Sequence, residues 1–589
     1  MRTDIGPPTG RVEKLERNGN SGCYRVAAGS FRTSKQGLVR IVSGRAEIER
    51  AWEGLTTIEA RGFALDAETG RYLGPVRLSE EGTLLGAAGH SEQPMLVQLE
   101  GYAVAYRFAW DPRTPGPPAE LRCEAMRQDR RARVSRRVKM DVLTNEASAG
   151  REVIQFDVRD VSHGGLGATV DSRTHSIQSG RRIEEIAIRW KGGDVLRASA
   201  VVAHVSEDRA RGIARCGLAL QFSDETSARW RDLVDDMLHP NASRGPLEPR
   251  VFWDAYVESG YLSLSGKEAP DFSDERACFE ATQRLLSHAP GVGAAFAAGD
   301  KNRLEAFAHQ LQVWEGSWLW FHLCRLPNGR SLCSSDDQVL VDLYSRAYQY
   351  VRAQGAQWLV TYIQKSAGYS RLVHYESALQ LEGAGASCVV PFHAFEINCA
   401  EADSDLPADV NSASATQLEE VQRLLALEYP ALYLDATGLG ASGLGIHALR
   451  RLWGEHGLER RREVLVACSG NTITATCVLD AASPGLHLYG LLDCARIFVH
   501  RSDDGANEVV STLLRAAASW YRSLGRTRFV YFGDPELHAL VIPPRSLSLG
   551  EAYLTVHTVE TIPQLLERVF VLAAPSGVGV HRRNHVQTT

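Results

Sequence analysis

The chain writes one pattern twice. DQVLVDLYSRAYQYVRAQGAQWLVTYI (Asp337 to Ile363) reads as a long helix, a glycine stop and a buried strand, and SDDGANEVVSTLLRAAASWYRSLGRTRFVYF (Ser502 to Phe532) reads the same way. Gly525 falls in register with Gly355, and Trp520-Tyr521-Arg522 falls opposite Tyr350-Val351-Arg352. Two strand-like runs precede each copy: RLEAFAHQLQVW and GSWLWFHLCRLP in the first, NTITATCVLDAA and LHLYGLLDCARIFV in the second. A long helix with an apolar face has to bury it against another layer. The expectation is therefore a C-terminal α/β region in two copies, 250–399 and 417–575, joined by a polar, acidic linker at 400–416 and ending in a tail at 576–589.

Upstream lies a different kind of text. Arg127, Arg130, Arg131, Arg133, Arg136, Arg137 and Lys139 crowd one short run in which Asp129 is the only acid. The run leads into Val138, Met140 and Val142, which alternate with polar residues as in a half-buried strand. A second strand, Val153 to Val161, ends in Asp160-Val161-Ser162-His163-Gly164-Gly165. Guanidinium groups pair with phosphate and stack on rings, Asp and Ser meet a base edge, and a glycine admits a ligand close to backbone. The combination suits an anionic, planar ligand. The competing readings are a solvated basic face or a nucleic-acid patch for the arginine run and an ordinary turn for the second string.

RVSRR (Arg133 to Arg137) followed by DVSHGG (Asp160 to Gly165) resembles the RxxxR and D/N-x-S-x-x-G pair of PilZ domains, bacterial receptors for cyclic di-GMP. SAVVAHVSEDRARGIARCGLALQFSD resembles the closing hairpin of that six-stranded β-barrel, and SARWRDLVDDML its terminal helix. The resemblance covers about 122–240. It implies that Arg133 and Arg137 wrap the phosphates and guanine faces, that Asp160 and Ser162 hydrogen-bond a guanine, and that Gly165 leaves room for it. RQDRR (Arg127 to Arg131) is also an RxxxR, but Arg137 stands at the strand entrance, which favours the later pair.

The doubled C-terminal pattern is similar to the core of GNAT-type acyltransferases, of which tandem forms occur. The resemblance implies a splayed strand pair admitting an acyl thioester donor, with a helix N-terminus for the pyrophosphate of coenzyme A. The family's helix-start signature, Q/R-x-x-G-x-G/A, is absent from PNGRSLCSSDDQVL and VHRSDDGANEVV, where acidic pairs, Asp336-Asp337 and Asp503-Asp504, stand instead. Candidate chemistry on the strands is sparse. His322 or Glu315 would serve as the base, with His309 nearby; the competing reading of His322 is a hydrogen-bonded core histidine. Tyr489, Asp493 and Cys494 lie in the second copy, with Tyr489 either a general acid or a packing residue. GLGASGLG (Gly438 to Gly445) reads as a loop or a weak phosphate cradle.

Residues 1–20 read as a flexible lead and 21–110 as a small β-rich domain interrupted by the helix-like SGRAEIERAWEGL, with Ser43 as N-cap and Ala46, Ile48 and Trp52 facing inward. In position and size this segment resembles the split barrel that precedes PilZ in flagellar-brake proteins. A proline-rich linker follows at 111–121. The 589 residues hold a formal net charge of -6, so the arginine run is a local feature and general nucleic-acid binding is not expected. Eleven scattered cysteines without a C-x-x-C pair argue against a zinc site or a disulfide scaffold. No apolar leader or spanning run is present, which leads to the expectation of a cytoplasmic protein without a transmembrane segment. The functional expectation is a cyclic di-GMP receptor coupled to a GNAT-like output. That output is either an N-acyltransferase, with an acyl carrier as a candidate donor, or a non-catalytic platform for a protein partner in motility or envelope signalling.

Overall fold

A computed structural model of the chain describes residues 31–573, apart from 35–36, 43–44, 58–60, 67–71, 80–82, 87–94, 101–103, 112–116, 126–131, 134–140, 145–153, 190–194, 209, 211, 246, 264–272, 300–303, 327–335, 400–409, 441–443, 501–505 and 534–545. The strands form three separate sheets accompanied by helices. Among the described residues, no helix is long and apolar enough to cross a membrane.

The first sheet is wholly antiparallel. Its strands are β1 (Phe31–Ser34), β2 (Gly37–Val42), β3 (Arg61–Asp66), β4 (Tyr72–Leu78), β5 (Leu84–Gly86), β6 (Met95–Glu100), β7 (Val104–Trp110) and β8 (Leu121–Ala125), in the order β1-β2-β8-β7-β6-β3-β4-β5. Helix α1 (Arg45–Thr57) buries Ile48 and Trp52, as its period predicts, and Trp52 stacks on Trp110 at 5.9 Å. The expected cap, Ser43, lies outside the described residues. One boundary differs from the sequence reading: β8 pairs with β2 and β7, so the residues just after the proline-rich linker belong to this sheet. Its alternating Leu-Arg-Cys-Glu-Ala text suits a strand of either neighbour, and pairing decides which.

The second sheet comprises β9 (Ala132–Arg133), β10 (Asp141–Thr144), β11 (Gln155–Ser162), β12 (Gly165–Asp171), β13 (Arg182–Arg189), β14 (Val195–Asp208) and β15 (Ile213–Gln221). The order is β10-β13-β14-β15-β12-β11-β9, and β10 also pairs with β11. Alternation puts Phe156, Val158 and Val161 of β11 inward with Leu166, Ala168 and Val170 of β12. Helix α2 (Asp224–Leu238) seals this core with Trp230 and Val234, both fully buried.

The third sheet has eleven strands: β16 (Gly293–Gly299), β17 (Leu304–Trp314), β18 (Ser317–Arg325), β19 (Trp358–Gln364), β20 (Ser387–Asn398), β21 (Val410–Ser412), β22 (Arg460–Ser469), β23 (Thr472–Ala482), β24 (Cys494–Val499), β25 (Arg528–Gly533) and β26 (Leu547–Thr558). Helices α3 (Pro249–Glu258), α4 (Ser273–Ser287), α5 (Asp336–Ala353), α6 (Glu376–Leu381), α7 (Ala415–Glu428), α8 (Ala431–Ala436), α9 (His447–Gly454), α10 (Ala506–Ser523) and α11 (Ile562–Ala573) accompany it. The repeat is real in its helix stops and in its parallel strand pairs. Gly355 and Gly525 end α5 and α10 with φ of 75° and 74°, a left-handed stop that glycine adopts without strain. β18 runs parallel to β19 over three pairs, Ser317↔Trp358 to Leu319↔Val360; β24 runs parallel to β25 over Cys494↔Val530 to Arg496↔Phe532.

The copies exchange strands. β20 closes the first copy in sequence but pairs with β25 of the second, while β26 pairs with β19 of the first. β20 and β26 pair with each other at the centre, giving β16-β17-β18-β19-β26-β20-β25-β24-β23-β22-β21. Helix α11 accordingly packs on α5, sharing a core with Tyr344, Tyr348 and Trp320. A second difference concerns LHLYGLLDCARIFV, of which only Cys494–Val499 is strand. Gly485 and Gly490, at φ of 83° and 65°, turn the chain before it.

Candidate functional site

The sequence motif converges on the strands β9, β11 and β12. Arg133 pairs directly opposite Asp160 across β9 and β11, so the two halves of the motif share one ladder. Arg137 lies outside the described residues, as do Arg127, Arg130, Arg131, Arg136 and Lys139. Asp160 is half-buried and pairs on its other side with Gly167. A Cβ at Gly167 would stand 2.7 Å from Asp160 Oδ1, so the carboxylate occupies the space over that glycine. At Gly165, the motif's own glycine, a Cβ would collide with the Leu218 carbonyl oxygen of β15. The closeness of the β12–β15 ladder therefore demands glycine there, whatever else the position admits.

The turn between these strands is held from below. Ser162 Oγ reaches the Gly165 carbonyl at 3.4 Å, and Trp230 Nε1 of α2 donates to the carbonyls of Ser162 and His163 at 3.1 and 3.2 Å. His163 Nε2 is 2.7 Å from Asp235 Oδ1 on the same helix. Trp230, Asp235 and Gly167 were missed by sequence reasoning. His163 stood in the motif string without an assigned task, and only the packing of α2 shows one.

Helix α2 in turn docks on the third sheet's helix α5. Arg346, 2% exposed, reaches Asp236 and donates to the Ala242 carbonyl at 2.9 Å. Asp342, also buried, accepts from the Asn241 backbone N–H at 3.1 Å and side-chain amide at 2.8 Å. Arg244 pairs with Asp232 and lies over Tyr350 at 5.0 Å. On the first sheet, Tyr106 Oη donates to Glu567 of α11 at 2.9 Å. The Ser162–Gly165 turn is thus joined by side chains, through α2, to the first repeat.

Beyond Leu319↔Val360, β18 and β19 diverge and leave a cavity of about 220 Å³ lined by Trp320, His322, Tyr362, Phe392, His487 and Tyr489, among others. His322 sits where β18 sets two residues against one of β17, with φ of 54°, a left-handed conformation uncommon for a non-glycine residue. Its Nε2 accepts from the Leu488 N–H at 3.3 Å, which puts its proton on Nδ1, and Nδ1 donates to Tyr256 Oη at 2.9 Å. Tyr256 then donates to His309 Nδ1 at 3.4 Å. Burial, with His487 and His309 adding to it, holds His322 well below the usual imidazole range, and burial takes His309 down to about 3. Both His322 nitrogens are engaged, an arrangement that matches the core-histidine reading better than a free base.

Glu315 is not brought to this cavity. It is exposed in the β17–β18 turn, at the far end of β18 from His322. Tyr489 lines the cavity and donates to the Tyr261 carbonyl, Asp493 accepts from the Ala482 N–H at 2.9 Å, and burial pushes the Cys494 thiol up to about 12. Helix α5 begins at Asp336, whereas Asp503 and Asp504 lie outside the described residues and α10 begins at Ala506. The glycine string is no open cradle at its start: the Gly438 carbonyl accepts from Arg462 Nη1 at 2.7 Å, and Asp435 packs against Gly440. Among the described residues, no cluster of His, Cys, Asp or Glu could hold a metal ion.

No protein-family model matches the chain, and no curated protein matches it. Solved structures do. The K. pneumonia MrkH–c-di-GMP complex is 12% identical and aligns over 34% of this chain and 96% of that one, with a TM-score of 0.24. YcgR from Escherichia coli in complex with c-di-GMP is 15% identical, over 34% and 93%, with a TM-score of 0.23. A tandem GNAT protein from the clavulanic acid biosynthesis pathway is 11% identical, over 54% and 98%, with a TM-score of 0.30. The solved structures that this chain is similar to thus include PilZ-domain receptors of c-di-GMP and a tandem GNAT protein.

Proposed function

We propose that the chain is a receptor for cyclic di-GMP, bound by its PilZ-like segment at 122–240, and that ligand state is passed to the C-terminal sheet. The observation that carries the reading is the register of Arg133 against Asp160, with the Ser162–Gly165 turn anchored beneath it. Arg133 and Arg137 would take the phosphates and stack on the guanines, while Asp160 and Ser162 would meet a guanine edge. The double pairing of β10, with β13 and β11, supports a six-stranded barrel for this segment. The contacts of α2 with α5 offer a route for the output. Calorimetry with cyclic di-GMP on the full chain tests the reading. Arg133→Ala, Arg137→Ala and Asp160→Ala should each weaken binding by at least about 1.5 kcal/mol, the scale of one charged hydrogen bond. A double arginine variant that binds as tightly as the unmodified chain overturns it.

For the GNAT-like region (250–399 and 417–575) we favour a regulated, non-catalytic platform for a protein partner in the cytoplasm. The fully engaged His322 and the exposed Glu315 support that reading over an N-acyltransferase. Its test is ligand-detected NMR with acetyl-CoA: no tight binding is expected, and sub-millimolar binding restores acyl transfer from a thioester or carrier-protein donor.

A further inference from the structure

Helix α2 carries contacts of two kinds on successive residues. Trp230 and Val234 are buried in the core of the second sheet. Asp236 takes the buried guanidinium of Arg346 on α5, and His239 Nε2 meets Gln349 Oε1 of α5 at 3.2 Å. Asp235 belongs to neither set. Its carboxylate, 10% exposed, accepts the imidazole N–H of His163, Nε2 to Oδ1 at 2.7 Å. Asp235 and Asp236 thus hold the Asp-Val-Ser-His-Gly-Gly turn on one side and the first repeat on the other.

The core does not need the His163–Asp235 pair. The turn is already tied to α2 by the Trp230 indole N–H, and Val161 and Leu166 on either side of it are buried. His163 itself is 31% exposed in its side chain. Together with Asp235 it lines a cavity of about 270 Å³ whose far wall is α5, with Gln349, Tyr350 and Arg352. His163 therefore stands both in the motif string and on the seam with the first repeat. A turn loses freedom when a ligand binds it, and a helix loses freedom when it docks. Where one contact restrains both, the ordering cost is met once, and each event favours the other. Docking of α2 on α5 fixes Asp235, and with it His163 and the turn. A turn fixed by ligand fixes Asp235 for the docked helix in the same way. Linkage makes the factor equal in both directions.

We propose that His163 is the positioning residue through which cyclic di-GMP binding and the docking of α2 on α5 strengthen one another. The proposal rests on the reading of 122–240 as the cyclic di-GMP site. It adds the residue that carries the coupling and the sign of that coupling: the bound state tightens the seam and does not release α2.

Calorimetry with cyclic di-GMP on the full chain tests it through a double-mutant cycle of His163→Ala and Arg346→Ala. Each single variant should weaken cyclic di-GMP by about fivefold or more, the low end of coupling between sites. The double variant should bind no more weakly than His163→Ala alone, because both changes cut the same link. His163→Gln, which keeps an N–H donor, should retain the effect of Arg346→Ala. Asp236→Ala breaks the α5 contact from its 60% exposed side and should weaken binding in the same direction. It serves in the cycle if circular dichroism shows Arg346→Ala to be unfolded. Added cyclic di-GMP should raise hydrogen-exchange protection in α2 and α5 of the unmodified chain and should fail to do so in His163→Ala. Losses that add in the double variant, tighter binding by Arg346→Ala, or ligand-induced protection of α5 that survives His163→Ala each overturn the coupling while cyclic di-GMP binding stands. An unmodified chain that does not bind cyclic di-GMP overturns the receptor reading, and the coupling falls with it.

Discussion

Replacing Gly167 with alanine should cut cyclic di-GMP affinity while leaving the fold intact. A Cβ there would stand 2.7 and 2.8 Å from the two carboxylate oxygens of Asp160 and 2.9 Å from its Cγ, so the carboxylate has to leave. The obstructing atoms belong to a side chain that can turn, and an off-rotamer Asp160 costs only about 0.5–1.5 kcal/mol. Losing a charged hydrogen bond to the ligand costs about 1.5–3 kcal/mol, which is roughly ten- to 150-fold in Kd at 1.4 kcal/mol per decade. Gly165→Ala is the contrasting variant. The atom it meets is the Leu218 backbone carbonyl oxygen, which cannot step aside without moving β15. Gly165→Ala should therefore cost about 1–3 kcal/mol of stability. Calorimetry and thermal melts on the full chain separate the two outcomes. In a double-mutant cycle, Gly167→Ala should add little to Asp160→Ala, because both remove the same carboxylate. A Gly167→Ala chain that binds like the unmodified one refutes the placement of Asp160 in the site.

Arg127→Ala and Arg130→Ala should weaken cyclic di-GMP less than changes at Arg133 and Arg137; equal sensitivity at all four, with a steep salt dependence, would mark a bulk basic patch. Stability should fall as pH drops below about 6.5, where the unfolded histidines take up protons and the buried ones do not. Burial takes His309 to about 3 and His557 to about 4. At pH 5 each therefore withdraws about 2 kcal/mol, and equal denaturation midpoints at pH 7 and pH 5 would contradict this. Arg346→Ala should loosen α2 from α5 by about 2–3 kcal/mol, since Ala242 loses its donor while Asp236 returns to water. Hydrogen exchange in α2 reads the effect, and unchanged protection there would count against the docking route.

Much of the local architecture was legible in the chain. Apolar alternation located β17, β18 and β23, the resemblance of Ser227 to Leu238 to a terminal helix located most of α2, and Gly355 and Gly525 marked equivalent stops because both helices end where glycine is unstrained. Pairing was not legible. Phe395-Glu396-Ile397 and Thr555-Val556-His557 carry no mark of which neighbour each will join, because a strand's partner is chosen by non-local packing. The run from Leu486 to Asp493 alternated well enough to read as strand, and its glycines, taken at positive φ, overrode that pattern. Of the candidate site, Asp160, Ser162 and Gly165 were visible as a string. The carboxylate over Gly167 and the Trp230 tie were not, since both depend on cross-strand register and on where α2 lands.

The strand exchange gives this protein an unusual relation to its own synthesis. The inner edge of the first repeat, β19, pairs with Leu547–Thr558, which leaves the ribosome after α10 and β25 of the second repeat. Until then the nascent first repeat carries an unpaired edge at β19, and β20 has β25 alone to join. Completion of the eleven-stranded sheet therefore waits for β26. Translation halted anywhere before β26 would leave both repeats incomplete, the earlier one as much as the later.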